Sequence, residues 1–277
     1  MKEDNTIPVS KLCQFYQISR QYYYQERVRE MQDNQQEQVV KELIQMIRRE
    51  LPLLGGKKCN AFLREMIQQA GIKLGRDRFL EIYEKYGFKL HRKLKYIRTT
   101  NSKHHFYKHK NLIQDFQITA PNQVMGSDIT YIRLGDGRYL YLFLIMDLYS
   151  RKIVGYDLSR SLGVEGGIRA LQMALSNGAS YLYHHSDRGI QYCSNEYTKL
   201  LESRGILISM SEKGNPYENA KVERLNGIIK HEFGLAEVLG GEELARKMLE
   251  QAVKNYNTLR PHLSLGYKTP EQVHATA

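Results

Sequence analysis

Three apolar runs, "QVMGSDITYIRL", "RYLYLFLIMDL" and "RKIVGYDLS", follow one another between Gln123 and Ser159. They are rich in the β-branched and aromatic residues that suit a pleated surface, so each reads as a strand. The first two flank Gly135 to Gly137, "GDG", a short turn that predicts an antiparallel hairpin. Beyond them the pattern predicts a helix over roughly Val164 to Ser176, the short run "SYLYHHSD", a helix near Glu196 to Arg204 and the brief strand "ILISM". A last amphipathic helix grows out of "NPYENAKVERLNGIIKHE". Three antiparallel strands followed by alternating helices and strands specify an α/β domain with a mixed sheet.

Upstream the pattern is helical. In "VSKLCQFYQISRQYYYQERVREM", Val9, Leu12 and Phe15 mark one helix, and Ser19 is placed to cap a second that carries Tyr22 to Tyr24. In "NAFLREMIQQAGIKLGRDRFLEIYEKYGF", the stripe Leu63, Ile67, Ala70 stops at Gly71, and a new one with Phe79, Ile82 and Tyr83 ends near Gly87. Both breaks fit helix-turn-helix units, the second of which would offer a helix to a DNA major groove. The expected layout is therefore a helical region over 1–50, a second helix-turn-helix region over 51–100, a basic linker over 101–120 and the sheet domain over 121–277.

Charge points the same way. Met1 to Lys110 carries 23 Lys and Arg against 12 Asp and Glu, which accounts for the whole net charge of +11. From Lys85 to Lys110 there are nine bases, Arg92, Lys93 and Lys95 among them, and no acid. Interleaved with Tyr86, Phe88, Tyr96, Phe106 and Tyr107, that run suits a polyanion and predicts contacts with nucleic acid. The longest apolar run, Tyr139 to Met146, is eight residues, too short for a bilayer, and "MKEDNTIPVS" lacks the apolar core of a secretion signal. A cytoplasmic protein is expected. Cys13, Cys59 and Cys193 form neither a disulfide framework nor a zinc motif. His104, His105 and His109 sit among bases and read as phosphate contacts, not as a metal cluster. "GGKK" at Gly55 to Lys58 is a loop, since it lacks the spacing of a nucleotide cradle.

Three acids stand out by position. Asp128 is in mid-strand, Asp187 directly follows an apolar strand beside His184 and His185, and Glu223 is on the last amphipathic helix. A buried carboxylate needs Arg, Lys or a cation as partner. Three that converge make a hard oxygen site suited to Mg²⁺ or Mn²⁺, and two such ions serve phosphodiester chemistry. On the same helix Asn219, Glu223 and Lys230 fall on one stripe beside the apolar Val222, Leu225 and Ile229.

"NQVMGSDITYI", "HHSDRGIQY", "GNPYENAKVERLNGIIKHE" with 35 residues between Asp187 and Glu223, and the closing "YNTLRPHLSLGYKTPEQV" occur in order. Together they resemble the signatures of insertion-sequence transposases of the IS-three family, relatives of retroviral integrases. The resemblance implies a ribonuclease-H-like catalytic core, preceded here by the all-α helix-turn-helix region. It implies that Asp128, Asp187 and Glu223 hold two Mg²⁺, with Mn²⁺ as a substitute, and that Lys230 touches the DNA end while Asn219 helps position it. The implied reaction is hydrolysis at the element's ends, then attack by the freed 3′-hydroxyl on a second phosphodiester. Implied partners are double-stranded DNA, further copies of the chain and an upstream reading-frame protein. Met125 stands where many relatives have Trp, which is expected to alter packing and not chemistry. A binding protein without catalysis and a nuclease that only hydrolyses are the rival readings.

Overall fold

A computed structural model of the chain describes residues 8–90, 105–176, 180–212 and 220–276. Helix α1 (Val9–Phe15) leads into α2 (Arg20–Glu50), whose start is fixed by Ser19 Oγ accepting a hydrogen bond from the Tyr22 N–H at 3.0 Å. α2 is 31 residues long, and only its second half is anchored, through Glu37, Val40, Ile44 and Ile47. Its buried acid is not orphaned. Glu37 accepts from Arg78 at 2.8 Å and Lys85 at 2.5 Å, which draws α4 (Arg76–Lys85) onto α2. α3 (Gly56–Gln69) completes this unit with Cys59, Leu63 and Ile67 on its buried stripe. Gly71 (φ 74°) and Gly87 (φ 72°) occupy the left-handed region that ends α3 and α4.

Five strands form one mixed sheet: β1 (Val124–Arg133), β2 (Tyr139–Asp147), β3 (Ile153–Ser159), β4 (Tyr183–Ser186) and β5 (Leu207–Met210). Their order is β3-β2-β1-β4-β5, with the first three antiparallel and β4 and β5 added parallel to β1. Alternation along β2 divides the sheet's faces. Leu142, Leu144 and Met146 join a core with α8 (Ala220–Glu232), α9 (Glu242–Thr258) and the N-terminal helices, while Phe143 and Ile145 join a second core with α5 (Val164–Leu175) and α7 (Asn195–Ser203). Met125 is fully buried in the second core. Gly155 allows α5 its close approach, because a Cβ there would meet the Ala170 carbonyl oxygen at 2.1 Å. Two short helices, α6 (Ile190–Cys193) and α10 (Pro270–Ala275), complete the chain.

Both outer strands are covered. On β3, Asn257 Nδ2 donates to the Ile153 carbonyl and its Oδ1 accepts the Ile153 N–H, each at 2.9 Å, and Arg246 donates to the Leu158 carbonyl at 2.7 Å. On β5, the Met210 N–H donates to the Lys110 carbonyl at 3.2 Å. Residues 105–120, expected as a linker, have no helix or strand, but Ile113, Phe116 and Ile118 pack on the core and Phe116 meets Tyr183 with ring centres 5.0 Å apart.

The two halves are tied by named contacts. Asn255 donates to the Glu50 carbonyl at 2.8 Å, and Lys58 reaches Glu232 at 3.5 Å.

Candidate active site

The parallel pairing of β1 with β4 ends at Ser127 opposite Ser186, so Asp128, which continues β1 opposite Leu144 of β2, and Asp187, the first residue past β4, fall side by side where β4 stops. Residues 59 apart in sequence become neighbours through register alone. Glu223 arrives on α8, which lies close to β1 because Gly126 has no side chain. A Cβ there would meet Val222 at 2.7 Å and Leu148 at 2.8 Å.

Asp128 is half-buried, and its Oδ1 accepts the Ile129 N–H at 2.9 Å while Oδ2 accepts from Asn226 Nδ2 at 2.8 Å. Burial first, then the charges of Asp187 and Glu223, push its pKa from 3.8 up to about 8. Asp187 Oδ1 accepts the Gly189 N–H at 2.9 Å, which opens the turn into α6. Glu223 stands on the rim, its pKa raised by desolvation and by Asp187. The three acids thus act on one another electrostatically, although among the described residues no three acidic, His or Cys side chains close into a preformed cage.

Two buried polar atoms border this group without a protein partner: Tyr192 OH and Asn226 Oδ1. Burial, then Tyr197, then the charges of Asp128 and Asp187, hold the Tyr192 phenol well above its ordinary pKa. Mutually repelling carboxylates with partnerless oxygens beside them fit a hydrated hard cation. Lys230 is half-buried, its ammonium has no hydrogen bond or ion pair among the described residues, and desolvation lowers its pKa. It sits two turns along α8 from Glu223, about 10 Å on the helix rise. Asn219, Arg92, Lys93, Lys95 and His104 lie outside the described residues.

His184 and His185 are structural. Nε2 of His184 lies 2.7 Å from Ser127 Oγ and 2.9 Å from Tyr197 OH, and burial pushes its pKa to about 3, so the ring is neutral. His185 Nδ1 meets Ser209 Oγ at 2.9 Å.

The Asp128 shift predicts a pH effect. A carboxyl whose folded pKa is raised binds its proton in the native state and releases it on unfolding, so stability falls as pH climbs from 3.8 through about 8. Asp128→Asn flattens that slope in metal-free protein, as measured by urea unfolding with chelator across the window. An unchanged slope would remove Asp128 from the site's electrostatics.

Two integrase core domain models match, one over residues 118–216 and the other over 204–270. A Shigella sonnei protein, the insertion element IS600 uncharacterized 31 kDa protein, is 34% identical over 265 residues, covering 94% of this chain and 96% of its own length. Transposase InsF for insertion sequence IS3A of Escherichia coli (strain K12) is 37% identical over 172 residues. The chain belongs to the IS3 family of transposases. The stretch shared with InsF is 59% of this IS3-family chain and 58% of InsF. In fold, the family member also resembles a chain of the simian T-cell lymphotropic virus intasome, solved in complex with PP2A regulatory subunit B56 gamma. There the TM-score is 0.51 at 20% identity, over 80% of this chain and 75% of that one. The ribonuclease-H-like core and the all-helical N-terminal region expected for the IS3 family are both present.

Two site residues of this family member escape sequence reading. Asn226 stands in the apolar stripe of Val222, Leu225 and Ile229, where an amide is a poor helix former and needs a buried partner. That misfit was its only signal. Tyr192 carries none, since a tyrosine in a short apolar helix reads as core.

Proposed function

We propose that this chain is a DDE transposase that cuts DNA at the ends of an insertion sequence and joins the freed 3′-end to a second DNA. The observation that carries the reading is the convergence of Asp128, Asp187 and Glu223 from two neighbouring parallel strands and one helix, near enough that the charges of Asp187 and Glu223 add to the burial that raises the Asp128 pKa to about 8. These carboxylates would hold two Mg²⁺, or Mn²⁺, which supply activation of the attacking oxygen and stabilisation of the leaving one. Asn226 fixes the Asp128 carboxylate in one rotamer through its 2.8 Å bond. Lys230, uncompensated by any acid among the described residues, holds a phosphate of the reacting strand. In each step one P–O bond forms to a water or 3′-hydroxyl oxygen, one P–O bond breaks, and the departing 3′-oxygen gains a proton. Asn219 positions the strand, and the helix-turn-helix units with Arg92, Lys93 and Lys95 grip the flanking duplex. Cutting two ends calls for more than one copy on the DNA, and an upstream reading-frame protein is a candidate partner. No helix among the described residues is long and apolar enough to cross a membrane, and we place the protein on bacterial DNA in the cytoplasm.

The test is a labelled duplex carrying the element's ends, incubated with the chain and Mg²⁺. Joined product is expected. Cleavage without joining would assign a nuclease, and duplex binding without cleavage, even with the upstream protein added, would assign a binding protein that regulates transposition.

A further inference from the structure

Helix α8 has two flanks beside its buried stripe. Glu223 and Lys230 occupy one, Lys221 and Glu232 lie on the other, and Arg224 sits beside Lys221 toward the outward face. Glu232, at the end of this second flank, is already taken. It accepts from Arg260 at 2.7 Å through both oxygens and pairs with Lys58 of α3 at 3.5 Å. Arg151, in the turn between β2 and β3, brings a further cation to the same place. Its backbone is in the left-handed region (φ 66°), held by its N–H donating to the Asp147 carbonyl at 2.9 Å.

The acid nearest in sequence to Arg151 is not free for it. The Asp147 carboxylate accepts from the Asn122, Tyr149 and Ser150 N–H groups and from Ser150 Oγ, at 2.7, 3.1, 2.7 and 2.9 Å. Arg151 Nη1 is buried with no partner, and Arg151, Lys221 and Arg224 have no side-chain hydrogen bond or ion pair among the described residues. The charges feel one another. Burial lowers the Arg151 pKa, Tyr256 and then Asp147 act to raise it, and Arg224 lowers it again. Burial and then Arg151 lower that of Lys221, and burial and then Arg260 that of Lys58. Cations gathered from α3, the β2–β3 turn and α8, with Glu232 already bonded to Arg260 and Lys58 and the Asp147 carboxylate bonded within its own turn, leave a place for an anion.

We propose that Arg151, Lys221 and Arg224 form a second anion site, separate from Lys230, that seats a backbone phosphate of duplex DNA. This rests on the transposase reading above and adds where the duplex runs: along the second flank of α8, toward α3. A phosphodiester suits the site because it carries one charge with two free oxygens, which a guanidinium grips bidentately.

The test compares the full chain with the Arg151→Gln/Arg224→Gln double variant, both carrying Asp187→Asn to prevent cleavage, binding an end-bearing duplex over a salt series. Each phosphate contact contributes about 0.9 to the slope of log K against log salt. The double variant is expected to bind about tenfold more weakly at low salt with a slope shallower by about 1. Its melting temperature should be unchanged or higher, since repelling cations have been removed, and Arg151→Lys/Arg224→Lys should restore the slope. Equal slopes and affinities, with the parent chain binding well, overturn the site and leave the transposase reading standing. Weaker binding with a lowered melting temperature and no rescue by Lys overturns it in favour of a packing role. Inorganic phosphate stabilising only the parent chain, with slopes equal, overturns DNA as the ligand. No duplex binding by either chain removes this inference and the reading beneath it together.

Discussion

Asp187→Asn eliminates strand cleavage and joining while leaving duplex binding and the fold in place. The amide keeps an oxygen where Asp187 Oδ1 accepts the Gly189 N–H, so the turn into α6 survives. What disappears is one negative charge beside Asp128. With it goes part of the repulsion that holds the Asp128 carboxyl near a pKa of about 8, so metal-free protein gains stability at neutral pH as it loses its cation. Cation-derived transition-state stabilisation of several kcal/mol makes the expected fall about a thousandfold or more. Glu223→Gln is expected to behave alike. Lys230→Ala behaves differently, weakening end binding while leaving Mg²⁺ affinity, measured by calorimetry, untouched. If Asp187→Asn kept wild-type joining, the acidic assignment would be wrong.

Arg260→Ala produces the second large effect, on stability. Arg260 is 2% exposed and donates to both oxygens of Glu232, whose carboxyl burial would raise but which Arg260 and then Lys58 hold below its ordinary value. Removing the guanidinium strands a partly buried acid at the end of the helix that carries Glu223. A loss of about 3–5 kcal/mol is expected. Glu232→Gln/Arg260→Met should lose less, because the buried carboxylate and guanidinium go together and only Lys58, at 3.5 Å, loses a partner. Since the folded Glu232 carboxyl titrates below 4.5, the pair's contribution is present above that pH and fades as pH falls through the folded value. Chemical unfolding of the three proteins at neutral and acid pH measures both points, and additive losses would mean the pair is not coupled.

Much of the catalytic core is legible in the chain because its strands carry local signals. The runs around "GDG", the apolar stretch before Asp187 and the stripe of α8 all mark elements that the structure contains. Helices α2 and α9 are harder to read, for reasons visible in particular residues. The middle of α2, with Gln32, Gln35, Gln36 and Gln38, offers no apolar stripe until Val40, and its one buried acid, Glu37, is satisfied from α4, about forty residues away. In α9 the stripe of Ala245, Leu249, Ala252 and Tyr256 is crossed by Asn255 and Asn257, which look solvent-facing and are buried. Their partners, Glu50 and Ile153, lie more than a hundred residues upstream. The same holds at the site. Acids inside or directly after an apolar strand are conspicuous, whereas Asn226 matters only because β1 lies beneath it.

The covering of the two outer strands bears on how copies assemble. An exposed strand is a template for pairing with another chain. Asn257 and Arg246 occupy positions on β3 where a neighbour's backbone would dock, and the chain around Lys110 occupies the far side of β5. Pairing of β3 or β5 with a strand of an adjacent molecule is therefore blocked at these positions, and contacts between copies are expected on other surfaces of the described residues. That keeps the register of β1 against β4, and with it the spacing of the two aspartates, independent of how many copies gather.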